Sequence, residues 1–400
     1  MADFLPKDHQ RATLVGRAYL PDAKGPAVVT IVDGRVIDIT SSDAPTVRDV
    51  CEQANPADYV RLAKEGGVDI GDVGSICTNS WEGTRDPLKP WFLAPADLHA
   101  LKASGVTFVA SLLERVIEEQ ARGAPEKAAS IRADIDQLIG QDLSKLKPGS
   151  TEAEQVKERL IKRGVWSQYL EVGIGPYAEI FTKAQPLSAV GVGAHIGILP
   201  DSIWNNPEPE IAVVVASSGR CIGATLGNDV NLRDMEGRSA LLLSKAKDNN
   251  ASCAVGPFVR LFDAGYTMDD VRVSDIALTV EGVDDFVLEG SSSISQISRD
   301  PEELVAATIS DDHQYPDGFL LMLGTMFAPT KDRDVEGEGF THKAGDVVTI
   351  ANDRLGALVN TVHHCSDCSP WTFGAADLMR NLARRGLLLP TAGSSSGHSY

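Results

Sequence analysis

Asn206-Pro207-Glu208-Pro209-Glu210-Ile211-Ala212-Val213-Val214-Val215-Ala216 reads as a buried strand with two carboxylates at its mouth. The run Ile211 to Ala216 is short and continuously apolar, as a core strand is. Side chains two apart on a strand share a face, so Glu208 and Glu210 point the same way. Pro209 between them brings no N–H, which suits the start or edge of a strand. Ser217-Ser218-Gly219-Arg220 then supplies turn residues, and a second run, Cys221 to Leu226, ends in Gly227-Asn228-Asp229. A hairpin with its loop centred on Ser218-Gly219 sets Asp229 opposite Glu208. Opposed residues of an antiparallel pair project to one side of the sheet, so Glu208, Glu210 and Asp229 converge.

Three converging carboxylates repel one another unless protons or a cation intervene. A single acidic residue at this place reads as a solvated hairpin end. Three beside an apolar run read as ligands of a hard divalent cation, Mg²⁺ first, with Mn²⁺ or Ca²⁺ as substitutes. A bulge at the acidic end would break the geometry.

The composition narrows the partners. A net charge of −19 disfavours nucleic acid and an anionic membrane as partners. No stretch reaches the roughly 18 apolar residues of a membrane span. Met1 to Asp8 lacks the basic and then apolar pattern of a secretory signal. The six cysteines are spread thinly over the chain, which suits a reducing cytosol, so the expected location is cytoplasmic. Cys365-Ser366-Asp367-Cys368 has no second close pair to complete a zinc site and reads as a strand end. The Gly-rich stretch around His195 lacks the spacing of a dinucleotide-binding loop.

In chain order, residues 12–20, 27–32 and 35–39 read as strands, the last two joined by an Asp33-Gly34 turn. Thr46 and Asp49 form a capping pair at the start of helical structure that continues over 57–64, and 67–92 read as irregular. Residues 96–103, 112–122, 126–140 and 152–163 read as helices. From Trp166 onward strand patterns alternate with turn signals, and a last helix covers 375–384. The expected fold class is α+β. It divides into a small N-terminal α+β domain over 1–95, a helical arm or lid over 96–165, a β-rich sandwich or roll forming the metal-binding catalytic domain over 166–390, and a flexible tail over 391–400.

Pro-Glu-Pro-Glu-Ile-Ala-Val-Val-Val, followed by Gly-Asn-Asp-Val-Asn-Leu-Arg-Asp234, resembles the signature of the fumarylacetoacetate hydrolase family over about residues 95–385. The resemblance implies a β-rich roll fold with Mg²⁺ held by Glu208, Glu210 and Asp229, and a dimer or dimer of dimers. It implies an active-site Lys247, a substrate-binding Arg233, and a Thr325 that holds the substrate carboxylate. The family's hydrolases carry Asn-Tyr-x-x-His-x-x-Glu, whose His and Glu activate water. Here the run is Thr107-Phe108-Val109-Ala110-Ser111-Leu112-Leu113-Glu114, with Ser111 in place of the histidine. Serine is no base near neutral pH without help, so hydrolysis is disfavoured. Glu179 and Lys183, in Glu-Ile-Phe-Thr-Lys, match a branch that dehydrates 2-keto-3-deoxy-pentonates.

The implied reaction is Mg²⁺-dependent loss of water from a keto sugar acid to give 2-oxoglutarate semialdehyde. Glu179 and Lys247 form the acid–base pair in an open order, with Glu114 closing over the site. A Lys247 beside a bound cation has a lowered pKa, and one beside uncompensated carboxylates a raised one. Two alternatives stand: a C–C hydrolase or decarboxylase of 2,4-diketo acids, and a non-catalytic sugar-acid binding protein.

Overall fold

The computed structural model describes residues 4–128, 131, 146–162, 164, 166–325, 329 and 331–388. The N-terminal part supplies β1 (Leu14–Leu20), β2 (Gly25–Val32), β3 (Arg35–Asp38), β4 (Val68–Asp72) and β5 (Trp91–Leu93). Asp33 and Gly34 join β2 to β3 at φ of 49° and 76°, the positive-φ backbone of a two-residue hairpin turn. β6 (Ala100–Gly105), β7 (Glu179–Ala184), β8 (His195–Ile198) and β9 (Asn205–Asn206) lead to the acidic hairpin. That hairpin is β10 (Pro209–Val215) and β11 (Cys221–Asp229). β12 (Asn231–Leu232), β13 (Cys253–Leu261), β14 (Asp275–Glu281), β15 (Val287–Ser293), β16 (Phe319–Met322), β17 (Val347–Asn352) and β18 (Gly356–His364) complete the strands.

An eleven-stranded sheet runs β4-β3-β2-β1-β13-β11-β10-β16-β6-β7, with β5 beside β1. A five-stranded sheet, β15-β14-β17-β18-β8, packs across it, and β9 pairs with β12. The fold is thus α+β and rich in sheet. β10 lies inside the large sheet with both faces covered. Ile211, Val213 and Val215 enter one core with Ile276, Leu278 and Ile350 of the second sheet. Ala212, Val214 and Ala216 enter another core with Val47, Val50 and Val60 from the helices Val47–Cys51 and Pro56–Ala63. Double burial explains why this strand is apolar without alternation. Among the described residues no helix is long and apolar enough to cross a membrane.

The hairpin holds the expected register at its acidic end. Pro209 faces Asn228, Glu210 faces Gly227, and the Asp229 N–H donates to the Glu208 carbonyl at 3.0 Å. A register shift does occur, between Val214 and Val215 at the turn end, so it leaves the carboxylates in place.

Two expectations are corrected. Residues 96–103 carry helix-forming Ala, Leu and Lys, yet Ala100–Gly105 is strand β6. It pairs in parallel with β16 and antiparallel with β7, and that pairing outweighs a weak local preference. Residues 67–92 are not irregular: they hold β4, the helix Val73–Ser80 and β5. Asp72 starts the helix by accepting from the Ser75 N–H, a short-range cap inside a polar stretch. β1 to β4, within residues 14–72, extend the sheet that carries the acidic hairpin, through the pairing of β1 with β13. The helices at Val109–Ala121 and Thr151–Lys162 lie where expected. Most of 126–140 and all of 391–400 fall outside the described residues.

Candidate active site

Glu208, Glu210 and Asp229 are buried, and each offers an oxygen within 4.8 Å of the others. Two further elements aim them. The Glu208 N–H donates to the Asn228 side chain at 3.1 Å, tying the two strand ends together. Gly324 lies just after β16 at φ of 101°, and its N–H donates to Glu210 Oε2 at 2.6 Å. A Cβ on Gly324 would sit 1.9 Å from Thr107 Oγ1, so the position requires glycine. Burial, then the Asp229 and Glu208 charges, push the Glu210 carboxyl well above the usual carboxylate range. Such a set cannot comfortably hold three negative charges by itself, and it fits a hard divalent cation.

Buried cations surround the cluster. Lys247, at the end of the helix Leu243–Lys247, reaches Glu208 Oε2 at 2.5 Å and Asp229 Oδ2 at 3.2 Å. Burial draws its ammonium pKa down, but the Asp229, Glu208 and Glu236 carboxylates outweigh that and raise it. Lys183 on β7 is 2.9 Å from Asp229 Oδ1 and also donates to the Val230 and Lys247 carbonyls. Burial raises the Asp229 pKa, yet Lys183 and Lys247 overcome it and hold the carboxyl below its ordinary value. Arg115, on the helix Val109–Ala121, donates to Glu208 and to Glu118 Oε2, the latter at 2.6 Å.

A cavity opens over the cluster. The described residues lining it include Ser104, Gly105, Ser111, Arg115, Glu179, Phe181, Glu236, Lys247 and Thr325 with the three carboxylates. Glu179, at the start of β7, lies against the bare backbone of Gly105, where a Cβ would come 1.9 Å from Glu179 Oε2. Burial raises its pKa, Glu208 and Asp229 add to this, and Arg115 and Lys247 oppose it.

The site residues named from sequence therefore divide. Glu179, Lys247, Thr325, Glu208, Glu210 and Asp229 meet at one cavity. Arg233, Lys183 and Glu114 stand behind it. Arg233 donates to Glu118 Oε1 at 2.7 Å, to Glu114 Oε2 at 2.9 Å and to the Pro329 carbonyl, and lies over the Trp204 ring. Ser111 Oγ donates to the Phe108 carbonyl at 2.9 Å, a bond within its own helix turn.

Arg115, Glu118, Glu236 and Ser104 were not singled out from sequence. A signal existed for two of them. Ser111, Arg115 and Glu118 follow helical spacing, so they share one face, and that face is buried. Glu236 has no such pattern, because it ends a four-residue helix, Arg233–Glu236.

Residues 172–363 match the family model described as fumarylacetoacetate (FAA) hydrolase, C-terminal. The chain is 34% identical over 187 residues to a 2-dehydro-3-deoxy-D-arabinonate dehydratase of Saccharolobus solfataricus, covering 46% of this chain and 58% of that protein. It is 29% identical over 210 residues to a probable 2-keto-3-deoxyxylonate dehydratase of Haloferax volcanii, covering 52% and 68%. The match thus spans little more than half the length of the first of these curated relatives. The solved apo form of 2-keto-3-deoxy-D-arabinonate dehydratase shares the fold, with a TM-score of 0.59 at 22% identity over 88% of this chain and 99% of that one. A structure of 2-keto-3-deoxy-D-arabinonate dehydratase complexed with magnesium and 2,5-dioxopentanoate aligns with the same TM-score, 0.59, at 23% identity over 88% and 99%. The acidic hairpin and Lys247 lie within the segment that matches the fumarylacetoacetate hydrolase family model.

Proposed function

We propose that this chain is a Mg²⁺-dependent hydro-lyase that dehydrates a 2-keto-3-deoxy-pentonate to 2-oxoglutarate semialdehyde. The observation that carries the reading is the convergence of Glu208, Glu210 and Asp229 with Glu179 and Lys247 on one cavity. The relatives named as pentonate dehydratases, and the related structure solved with magnesium and 2,5-dioxopentanoate, support it. Glu208, Glu210 and Asp229 would hold Mg²⁺, with Mn²⁺ or Ca²⁺ as substitutes. When bound, the ion supplies Lewis-acid polarisation of the C2 ketone and of the neighbouring carboxylate.

The chain's own groups then move protons. One member of the Glu179–Lys247 pair removes a C3 proton, and the C4 hydroxyl leaves as water with a proton from the other. Loss of a C5 proton with protonation at C3 converts the resulting C3=C4 enone to the C5 enol, and loss of the enol hydroxyl proton with protonation at C4 gives the aldehyde. Thr325 lines the cavity where it can bind the substrate carboxylate. Arg233 and Lys183 act through their neighbours: Arg233 braces Glu118 and Glu114, and Lys183 holds Asp229. Hydrolysis is the weaker reading, because Ser111 is engaged with its own helix and no histidine is among the described residues lining the cavity. The six cysteines are free, in keeping with a cytoplasmic enzyme, and the family resemblance suggests a homodimer or dimer of dimers.

The test is a dehydration assay on both epimeric 2-keto-3-deoxy-pentonates, with Mg²⁺ or EDTA, following the semialdehyde through a coupled dehydrogenase. Metal-dependent turnover of at least one epimer is the expected result. No turnover of either, with pyruvate released from an acylpyruvate, would return the chain to the hydrolases.

A further inference from the structure

Three polar atoms of residues lining the cavity have no hydrogen-bond partner among the described residues: Ser104 Oγ, Glu236 Oε2 and Asp229 Oδ1, the last lying 2.9 Å from the Lys183 ammonium within the carboxylate cluster. Ser104 Oγ and Glu236 Oε2 are both buried, on residues 2% and 5% exposed, and both residues line the cavity that holds the three carboxylates. The cation beside Glu236 is Arg115, whose Nη1 stands 3.5 Å from Oε2 and is already committed to Glu118. Leaving a buried polar atom unmade is unfavourable, so each such atom asks for a partner that the folded chain does not supply. They come from separate elements, Ser104 from β6 and Glu236 from the short helix Arg233–Glu236, and no local turn or cap accounts for either.

Their chemistry selects the partner. Ser104 both donates and accepts, and Glu236 offers a carboxyl oxygen. Next to Glu208, Glu210 and Asp229, a further anionic group of the ligand would be repelled at Glu236, whereas a hydroxyl would not. A keto sugar acid differs from a plain 2-keto acid in its hydroxyls. We infer that Ser104 and Glu236 form the pair that reads those hydroxyls, Ser104 donating to a substrate oxygen and Glu236 accepting from a substrate O–H. The inference rests on the dehydratase reading and makes these two residues the determinants of selectivity for hydroxylated substrates. A site built to hydrogen-bond a hydroxyl rejects the analogue that lacks it, because its own polar groups then stay unpaired.

The experiment compares wild type, Ser104→Ala and Glu236→Gln in the presence of Mg²⁺. It reads the KM for the preferred 2-keto-3-deoxy-pentonate and the inhibition constant of 2-oxopentanoate, which has the same chain length and no hydroxyl. The expected result is a rise in KM of about tenfold in each variant, with inhibition by 2-oxopentanoate changed by less than about twofold. Ser104→Ala removes one atom from a strand and keeps the test valid if Glu236→Gln folds poorly. Parallel loss of both constants would assign the residues a structural or metal-supporting role and overturn the inference. No change in either constant would mean that water satisfies the two atoms, and would overturn it equally. Absence of turnover in the wild type itself would overturn the dehydratase reading, and the pair with it.

Discussion

Glu208 is held from several sides at once. One oxygen accepts from Arg115 and the other from Lys247, while its backbone closes the hairpin against Asn228 and Asp229. Its carboxylate therefore stands between two buried cations, Arg115 and Lys247, beside Glu210 and Asp229. Glu208→Gln keeps the shape and removes the charge. The expected outcome is a fall in Mg²⁺ affinity of roughly ten- to a hundredfold, with activity falling in step. The fold is expected to survive, because Arg115 retains Glu118 and Lys247 retains Asp229. Titration calorimetry with Mg²⁺ beside the dehydration assay checks both, and unchanged Mg²⁺ binding would remove Glu208 from the ligand set. At this scale the sequence was informative. The carboxylates, Glu179 and Lys247 stood out by spacing and resemblance, whereas Arg233 and Lys183 matched a motif but stand one layer behind the cavity. A motif names residue types at positions, and it does not say which end of a long side chain meets the ligand.

The elements explain how the site is held. β10 and β11 bring three carboxylates together by register alone, and their bulge falls where it does no harm. The segment after β16 closes the other side through Gly324, whose N–H is the described backbone donor to Glu210. Gly324→Ala would force an L-residue to a φ of 101° and drive its Cβ into Thr107. The expected cost is about 1–3 kcal/mol of stability, read as a lowered Tm. Weaker Mg²⁺ binding should accompany it as the N–H leaves Glu210. A variant with wild-type Tm and wild-type Mg²⁺ affinity would show that the strain is absorbed elsewhere. β6 marks the limit of local reading. Its Ala-Leu-Lys-Ala composition suits a helix, but its neighbours are β16 and β7, and contacts so distant in sequence leave no trace in a short window.

For the molecule as a whole, the chain leading into β17 is fastened by charge. Asp346 is buried and accepts from both Arg333 guanidinium nitrogens, from the Lys343 N–H and from His342 Nδ1. Burial alone would raise its pKa, but Arg333, His342 and the Lys343 N–H together lower it to about 2. A carboxyl whose folded pKa lies below the unfolded value of 3.8 contributes stability that is complete above that value and disappears as pH falls toward about 2. The contribution is about 2 kcal/mol. Acid unfolding followed by circular dichroism should therefore show a loss between about pH 4 and 2 that Asp346→Asn lacks, the variant being less stable already at neutral pH. Equal slopes for the two proteins in that window would disprove the assignment.

The sequence by itself determined the hairpin, its register at the acidic end, the convergence of three carboxylates and the sheet-rich class. Period-two patterning, turn residues and local pairing are short-range properties, and a chain of this length carries them in plain view. Only the tertiary structure decided that residues 14–72 extend the same sheet, that Ala100–Gly105 is a strand, and that Arg115, Glu118, Ser104 and Glu236 gather behind and around the carboxylate cluster. Those outcomes depend on which distant surfaces meet. Burial and unmet hydrogen bonds are properties of that meeting, and no residue carries them alone.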